Sequence, residues 1–214
     1  MVIDLGAGVT EYAVFAGDHC CLHSGQLTVG CDHVANDLSL GLHVPIQRAR
    51  DLLAELGTVG SAIMTPDGHT RLLPVETVPG RPPRHIPASS VESIVEMRLQ
   101  ELFTVILADL QKQDMLKRIG WGIKLVGGGA SIPRITELAR RVFEMPVEVG
   151  MPALVNGPKQ ILDSPRYATP IGVLRYGQQN LPSQEAGDHS PWVVFCREMR
   201  RLRGVIFRQA PIQW

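Results

Sequence analysis

Apolar residues recur along the chain at two spacings, one typical of strands and one typical of helices. Short apolar runs at residues 1–3, 12–15 and Ile123–Val126 stand beside glycine-rich turns, and each predicts a buried strand. Residues 22–29 and Val147–Val149 predict two further strands. The predicted strands therefore fall into an early group and a late group, separated by a long segment.

Helical periodicity fills most of the chain between and after these strands. Apolar residues recur every three or four positions at 32–42, 45–56, 133–143 and 167–177, and in a longer run from Ser89 or Ser90 to about residue 116. Strands and helices alternate without an internal repeat. The pattern therefore predicts an α/β fold.

Three residues mark where the early helices start and stop. Asp32 is predicted to cap the first helix, Pro45 to open the second, and Gly57 to end it. Residues 58–86 hold short alternating runs around a turn at 66–68, which predicts a small β structure.

The end of the chain has a different character from the rest. Residues 178–190 are polar and predict a linker, and residues 191–208 predict a basic amphipathic helix. Its apolar face and cationic flank are formed by Trp192, Phe195, Met199, Leu202, Ile206 and Phe207, and by Arg197, Arg200 and Arg201. This pattern is typical of a helix lying in the interface of an anionic membrane. The alternative is a helix that packs on the protein's own core, which the polar linker disfavours.

Composition and charge narrow the classes of partner. Of the 214 residues, 44% are hydrophobic and 20% are charged, as in ordinary globular proteins. The net charge is zero, so no nucleic acid partner is indicated. Five arginines against one glutamate from Pro191 onward leave the tail at +4 and the remainder at −4. The four cysteines fit no zinc-site spacing and predict reduced thiols in a cytosolic protein.

The first glycine turn joins two predicted strands and contains Asp4, Gly6, Gly8 and Thr10. Glycines let the backbone approach a phosphate, and successive amides form an anion cradle. Asp4 is a candidate ligand for Mg²⁺, and the Thr10 hydroxyl is a candidate donor to a phosphate oxygen. The alternative is a tight hairpin without a ligand.

The second glycine turn comprises Gly127, Gly128 and Gly129, between a predicted strand and a predicted helix. The free amides at a helix start also favour an anion or a polar ligand edge. Such turns are common in α/β folds, so this turn indicates a ligand site only in combination with the first glycine turn. The acidic residue that a Rossmann fingerprint places about 20 residues after its glycines is absent in the right context.

Together these features resemble a known family. The Asp-x-Gly-x-Gly-x-Thr hairpin, the inserted segment and the late glycine turn resemble the second half of the actin/Hsp70-like nucleotide-binding fold. The Gly-Arg-Pro-Pro-Arg segment at residues 80–84 and the stretch at 167–177 are similar to segments of the FtsA family of bacterial cell-division proteins, as is an amphipathic tail after a linker.

The resemblance implies a domain plan for the chain. Its fold is expected to be an α/β, RNase H-like second domain with an inserted α+β lobe and a C-terminal amphipathic helix. Residues 1–34 and 120–177 would form subdomain 2A and residues 35–119 subdomain 2B, followed by the linker and the helix. ATP with Mg²⁺ would be the ligand. Its phosphate side would be held by Asp4, Gly6, Gly8 and Thr10, and its adenosine side by Gly127, Gly128 and Gly129.

The resemblance also implies partners and a location. Such a protein tethers the ring of the tubulin-like FtsZ to the membrane, binds the FtsZ C-terminal tail, assembles with copies of itself and recruits other division proteins. It would lie peripherally on the cytoplasmic side of the inner membrane at the division site. Arg81, Arg84 and Arg98 in the inserted lobe are candidates to meet an acidic peptide; the alternative is ordinary surface charge.

Two departures from the family pattern bear on nucleotide chemistry. The family's Ala-Glu-x-x-Lys aligns with residues 49–53, where Arg50 and Leu53 replace the acid and the lysine. We therefore expect a protein that is not an enzyme. The alternatives are an ATP-dependent enzyme or chaperone of the Hsp70 or sugar-kinase type, and a pilus-type scaffold. The other departure is that the family's first half, with its own phosphate loop, is absent from this sequence. Only three residues precede Asp4, whereas strands usually have about five or six, so either the gene product is short or the sequence is a fragment of a longer protein.

Overall fold

The computed structural model describes residues 1–17, 20–59, 71–75, 82–152 and 157–180. The predicted linker from residue 181 onward, the helix at 191–208, the turn at 66–68 and Arg81 lie outside these ranges. The chain divides into two compact units, Met1–Gly172 and Val173–Trp214.

Seven strands and six α-helices make up the described structure. The strands are β1 Val2–Leu5, β2 Thr10–Ala16, β3 Cys20–Leu27, β4 Leu72–Val75, β5 Arg84–Pro87, β6 Ile123–Val126 and β7 Val147–Val149. The helices are α1 Cys31–Leu42, α2 Ile46–Val59, α3 Ala88–Lys112, α4 Ile135–Phe143, α5 Lys159–Leu162 and α6 Ala168–Asn180. The α/β prediction is confirmed.

A five-stranded sheet in the order β3-β2-β1-β6-β7 forms the centre of the first unit. β1 pairs antiparallel with β2 and parallel with β6, so the early and late strand groups meet at this pair. Ile3 and Leu5 alternate with less buried neighbours and face the core, as the period of two in a strand requires. Both glycine turns follow strands at this junction and therefore lie at one edge of the sheet.

The helices α1, α2 and α3 come from the segment between the two strand groups. α1 packs against both α2 and α3, and α3 also packs against α4. A two-stranded antiparallel sheet of β4 and β5 belongs to the same segment. All strands of the large sheet lie within 1–34 and 120–177; the proposed subdomain boundaries themselves stay a prediction.

The start of α1 differs from the prediction. The helix begins at Cys31 with Gly30 as its N-cap, so Asp32 lies inside the first turn and is not the cap. A Cβ on Gly30 would lie 2.5 Å from the carbonyl oxygen of Ala7, which leaves room only for glycine. The first glycine turn lies so close to the start of α1 that the N-cap residue must be glycine.

The predicted end of α2 at Gly57 is wrong, because the helix continues to Val59. A glycine ends a helix when it adopts the left-handed conformation; in a helical conformation it only weakens the helix, by about 1 kcal/mol.

α3 carries the longest buried stripe in the described structure. Val91, Val95, Leu99, Leu102, Phe103, Ile106 and Leu110 are buried at helical spacing. The helix stops at Lys112, short of the predicted residue 116, because Asp114 adopts a left-handed φ of 52°. A separate 3₁₀ turn, Leu116–Arg118, follows.

Two smaller differences concern the second glycine turn and the last described helix. The turn opens a 3₁₀ turn, Gly128–Ser131, and α4 begins only at Ile135, because Arg134 has a left-handed φ of 59°. α6 extends to Asn180, past the predicted end at 177.

Candidate functional site

The first glycine turn is closed by its own backbone and braced by α1. The Gly6 amide donates to the Val9 carbonyl at 3.1 Å, and the Cys31 amide donates to the Gly6 carbonyl at 3.0 Å. A Cβ on Gly6 would lie 2.7 Å from the Val9 oxygen, so the turn requires glycine there. Gly6 therefore shapes the turn.

The other side of the first turn is open to a ligand. The amides of Ala7, Gly8 and Val9 donate to no acceptor among the described residues. A Cβ on Gly8 would meet nothing within 4 Å, so packing within the protein does not explain this glycine. Successive free amides beside a bare backbone form a concavity of the kind that binds anions.

Thr10 has a structural role that its position in the motif did not predict. Its side chain is fully buried, and its hydroxyl donates to the Val29 carbonyl at 2.7 Å. The hydroxyl proton is therefore already used inside the protein. In this arrangement the hydroxyl is turned to the protein, and the role of Thr10 toward a phosphate oxygen stays a prediction.

The second glycine turn packs directly on the first. Gly127 has a left-handed φ of 85°, and its amide donates to the Pro165 carbonyl at 3.0 Å. A Cβ there would lie 2.2 Å from Oδ1 of Asp4 and 2.7 Å from the Leu5 carbonyl oxygen. Gly129 is likewise confined by Leu5 and by the Cys31 sulfur. Gly128 faces open space, as Gly8 does.

Asp4 lies where the two turns meet. One carboxylate oxygen is beside Gly127, and the other accepts a hydrogen bond from the Thr169 hydroxyl at 2.5 Å. Thr169 was missed as a site residue, although it belongs to the stretch 167–177 that resembles the family. The structure thus brings Asp4, Gly6, Gly8 and the second glycine turn together. Their role in nucleotide binding stays a prediction.

Cys31 lies between the two turns, and its side chain is partly buried. Burial, with a smaller contribution from the negative charge of Asp32, raises the pKa of the Cys31 thiol to about 11. At neutral pH the side chain is therefore a small apolar group that fills space, and it is not a nucleophile.

The surroundings of Asp4 suit a cation that arrives with its ligand. Among the described residues, no group of three or more His, Cys, Asp or Glu side chains can hold a metal by itself. Mg²⁺ is commonly held by one or two carboxylates, with phosphate oxygens and water completing its shell. A single aspartate beside two open glycines fits that donor set.

Arg50 occupies the position where the family pattern has an acid. Its Nε donates to Oδ1 of Asp32 at 3.1 Å, and the Asp32 amide in turn donates to the Ala7 carbonyl at 2.8 Å. Ala49 and Leu52 on the same helix are fully buried, so the helix presents Arg50 rather than these two residues. Hydrogen bonds through Asp32 therefore link the positively charged Arg50 to the first glycine turn.

The hairpin that carries the first turn is anchored to α3 through polar side chains. The Tyr12 hydroxyl donates to Oδ2 of Asp109 at 2.6 Å, and Nε2 of His23 lies 2.8 Å from the same oxygen. Hydrogen bonds from Tyr12, then from His23, hold the pKa of Asp109 below its usual range. Burial and the same hydrogen bond raise the pKa of Tyr12. Gly25 leaves room for the tyrosine ring.

The arginines proposed to meet an acidic peptide have partners of their own. Arg98 forms hydrogen bonds with both Asp37 and Glu101, and Arg84 donates to the Leu42 carbonyl at 2.8 Å. Arg98 is thus ion-paired, whereas Arg84 is held by a neutral carbonyl and forms no ion pair with the described residues.

The sheet order and the paired glycine turns define an actin-like fold. MreB5 of Spiroplasma citri bound to ADP shares it with a TM-score of 0.60, 15% identity and coverage of 83% of this chain and 53% of that one. The PilM–PilN type IV pilus biogenesis complex shares it with a TM-score of 0.56, 18% identity and coverage of 82% and 45%. Identities this low show the fold alone.

Closer similarity comes from cell-division proteins. The family model "Cell division protein FtsA" matches residues 1–172. FtsA of Pseudomonas aeruginosa is 32% identical over 185 residues, which cover 83% of this chain and 42% of the relative. FtsA of Neisseria meningitidis serogroup B is 31% identical over 190 residues, which cover 87% and 45%. The chain belongs to the FtsA family, and it spans less than half the length of these relatives.

Within the described ranges, no helix has both the length and the apolar character needed to cross a membrane.

Proposed function

We propose that this chain is the second half of a membrane tether for cell division. In this role it links FtsZ to the cytoplasmic face of the inner membrane at the division site, assembles with copies of itself and recruits other division proteins. The family match over residues 1–172 carries the proposal. The basic amphipathic pattern at 191–208 supports the membrane step.

The membrane step is testable with vesicles. We expect the full chain to sediment with anionic phosphatidylglycerol vesicles, and a chain ending at Asn180 to remain in the supernatant. R197E/R200E/R201E should weaken binding strongly, because each reversed charge loses attraction worth about 1 kcal/mol and adds repulsion. K112E/K117E/K159E is the matched control, with the same charge change on the globular part. Equal sedimentation of the full and shortened chains would exclude the tail as the membrane anchor.

We further propose that the two turns bind ATP with Mg²⁺ without hydrolysing it. Asp4 would face the cation, the free amides near Gly8 would face phosphate oxygens, and Gly128 would leave room on the adenosine side. The cation supplies charge neutralisation between phosphate groups when bound. Leu53 carries no charge at the position where the resemblance places a lysine that contacts the nucleoside, so this contact is missing here.

Calorimetry with ATP and Mg²⁺ tests the binding, and phosphate release tests the turnover. We expect measurable affinity that D4N reduces by at least about tenfold, the effect of losing one charged contact. Sustained phosphate release that D4N abolishes would instead favour an ATP-dependent enzyme of the same fold.

We propose the outer face of α1 and α3 as the FtsZ-binding surface. Leu40 on α1 and Met97 on α3 are 65% and 59% exposed, and Arg98, the residue after Met97, is held by Asp37 of α1. A peptide with apolar anchors suits such a surface better than one that relies on acidic residues, because Arg98 is already paired. Fluorescence anisotropy with an FtsZ C-terminal peptide should show weaker binding for M97A, with V105A on the same helix as the control.

A further inference from the structure

An acidic side chain lies beside the open amides of the first glycine turn. Asp32 is in the first turn of α1, and its amide donates to the Ala7 carbonyl of the glycine turn at 2.8 Å. An aspartate side chain is short, so its carboxylate lies well within one Debye length of the turn, which is about 10 Å in 0.1 M salt. A negative charge this close repels an anion that the amides of Ala7, Gly8 and Val9 would bind.

Arg50 is the cation that offsets this negative charge. Its Nε donates to Oδ1 of Asp32 at 3.1 Å, and it is the only ion-pair partner of Asp32 among the described residues. The two residues are 18 positions apart and belong to α2 and α1, which pack against each other. The fully buried Ala49 and Leu52 fix the face of α2 that carries Arg50. Helix packing therefore places a positive charge against the acid beside the turn.

Stabilisation of the fold does not account for this ion pair. The side chains of Arg50 and Asp32 are 49% and 46% exposed. Exposed pairs contribute little to stability, because water screens the attraction and both side chains lose conformational freedom. An anion bound at the turn would meet either a lone negative charge or a neutral pair, and each charge on a polyphosphate adds to the difference. The pair therefore affects a charged ligand more than it affects the fold.

The second carboxylate near the turn, that of Asp4, is offset in another way. In the proposed function Asp4 faces Mg²⁺, so its charge is offset only when the cation arrives with the nucleotide. Asp32 has Arg50 beside it without any ligand. One acid is thus balanced by the incoming ligand, and the other is balanced by the protein itself.

We propose that Arg50 determines the affinity of the first glycine turn for a polyphosphate by neutralising Asp32. This role deepens the nucleotide binding named in the proposed function and rests on it. It explains how the turn can accept an anion although an aspartate lies next to it. It also gives a function to the arginine at the position where the resemblance places an acid.

Calorimetry with ATP and Mg²⁺ on the full chain tests this role. R50A should weaken the affinity by about fivefold, the size of one interaction between unit charges in water. R50A/D32N should regain the wild-type affinity, because the acid that Arg50 offsets is then gone. R50K should bind as the wild type does, since lysine keeps the positive charge, and D32N alone should bind at least as tightly.

Salt and a matched control separate an effect of charge from an effect of shape. The deficit of R50A should shrink between about 0.01 M and 1 M salt, as the Debye length falls from about 30 Å to 3 Å. R141A removes an arginine from another exposed ion pair, that with Glu96 outside both turns, and should bind ATP as the wild type does. The thermal midpoints of R50A and R141A should be similar, because each variant loses one exposed pair.

Three results would overturn this role while leaving the nucleotide site intact. One is an R50A chain that binds ATP as tightly as the wild type, while D4N binds it weakly. Another is an R50A/D32N chain as weak as R50A, which would mean that Arg50 does not act through Asp32. The third is an R50A deficit that does not change with salt. A wild-type chain that binds no ATP would instead count against the proposed nucleotide site, and the role of Arg50 would be rejected with it.

Discussion

The turn after β1 and the turn after β6 each contain one glycine that faces open space and at least one that is packed against its neighbours. In the first turn, Gly6 closes the turn on itself through Val9, and Gly8 is open. In the second, Gly127 is pressed against Asp4 and Leu5, and Gly128 is open. Packed glycines therefore join the early and late parts of the chain, whereas no contact with the described residues requires glycine at the two open positions.

The largest effect should come from the packed glycine of the second turn. G127A combines a left-handed φ with a Cβ that would overlap Asp4 and the Leu5 backbone, so we expect destabilisation of at least about 3 kcal/mol. Urea unfolding at neutral pH measures it. A midpoint equal to that of the wild type would show that the two turns are not packed as described.

A smaller effect on stability is expected at Asp109, which anchors the hairpin of the first turn to α3. Hydrogen bonds from Tyr12 and His23 lower the pKa of Asp109, so the folded state favours the ionised carboxylate. The unfolded state then binds more protons below about pH 4, and the stabilisation is present above that pH and lost as the pH falls through the folded pKa.

D109N tests this anchor. We expect a loss of about 1 kcal/mol at pH 7, discounted because the carboxylate is partly exposed, and a shallower decline of stability in acid. Unfolding curves between pH 2.5 and 7 give both quantities. If the stability of D109N declined in acid in parallel with that of the wild type, Asp109 would not contribute to the pH dependence of stability.

The contact between Asp4 and Thr169 should matter less for stability. T169V preserves the shape and removes the hydroxyl donor, at a cost of about 0.5–1 kcal/mol for one exposed hydrogen bond. T136V, at a partly exposed position of α4, serves as the control in the same unfolding assay. A loss as large as that of G127A would mean that Asp4 depends on Thr169 for its position.

The smallest stability effect is expected at the open glycines. G8A and G128A introduce a Cβ that meets nothing within 4 Å, so stability should be unchanged or rise by up to about 1 kcal/mol. Calorimetry should nevertheless show weaker ATP binding. Unchanged affinity in both variants would mean that the open glycines do not face the nucleotide.

Much of the fold was predictable from local pattern, and the misses have common physical causes. The buried stripe of α3 and the apolar runs of β1 and β6 could be predicted from the spacing of their apolar residues. The N-cap of α1 could not be predicted in this way, because glycine is required at position 30 by the nearby carbonyl of Ala7. The start of α4 was missed because the left-handed conformation of Arg134 is invisible in composition.

The candidate site was predictable only in part. Motif spacing found Asp4 and the glycines, because close backbone approach restricts those positions to few residue types. It did not show that Thr10 is buried, which follows from the β2 register, and it missed Thr169, which reaches Asp4 from a distant part of the sequence. Contacts between distant segments leave little trace in a single sequence.

The pairing of β1 with β6 has a consequence for biosynthesis. Val2 pairs with Lys124, so β1, the central strand of the sheet, pairs with a strand that is synthesised much later. At about 5–20 residues per second, a ribosome needs roughly 6 to 24 s to pass from β1 to the end of β6. During that interval β1 has only β2 beside it, and the edge that β6 will cover is open to other chains. The same pairing that places the two glycine turns side by side thus makes the nascent chain vulnerable to misassociation.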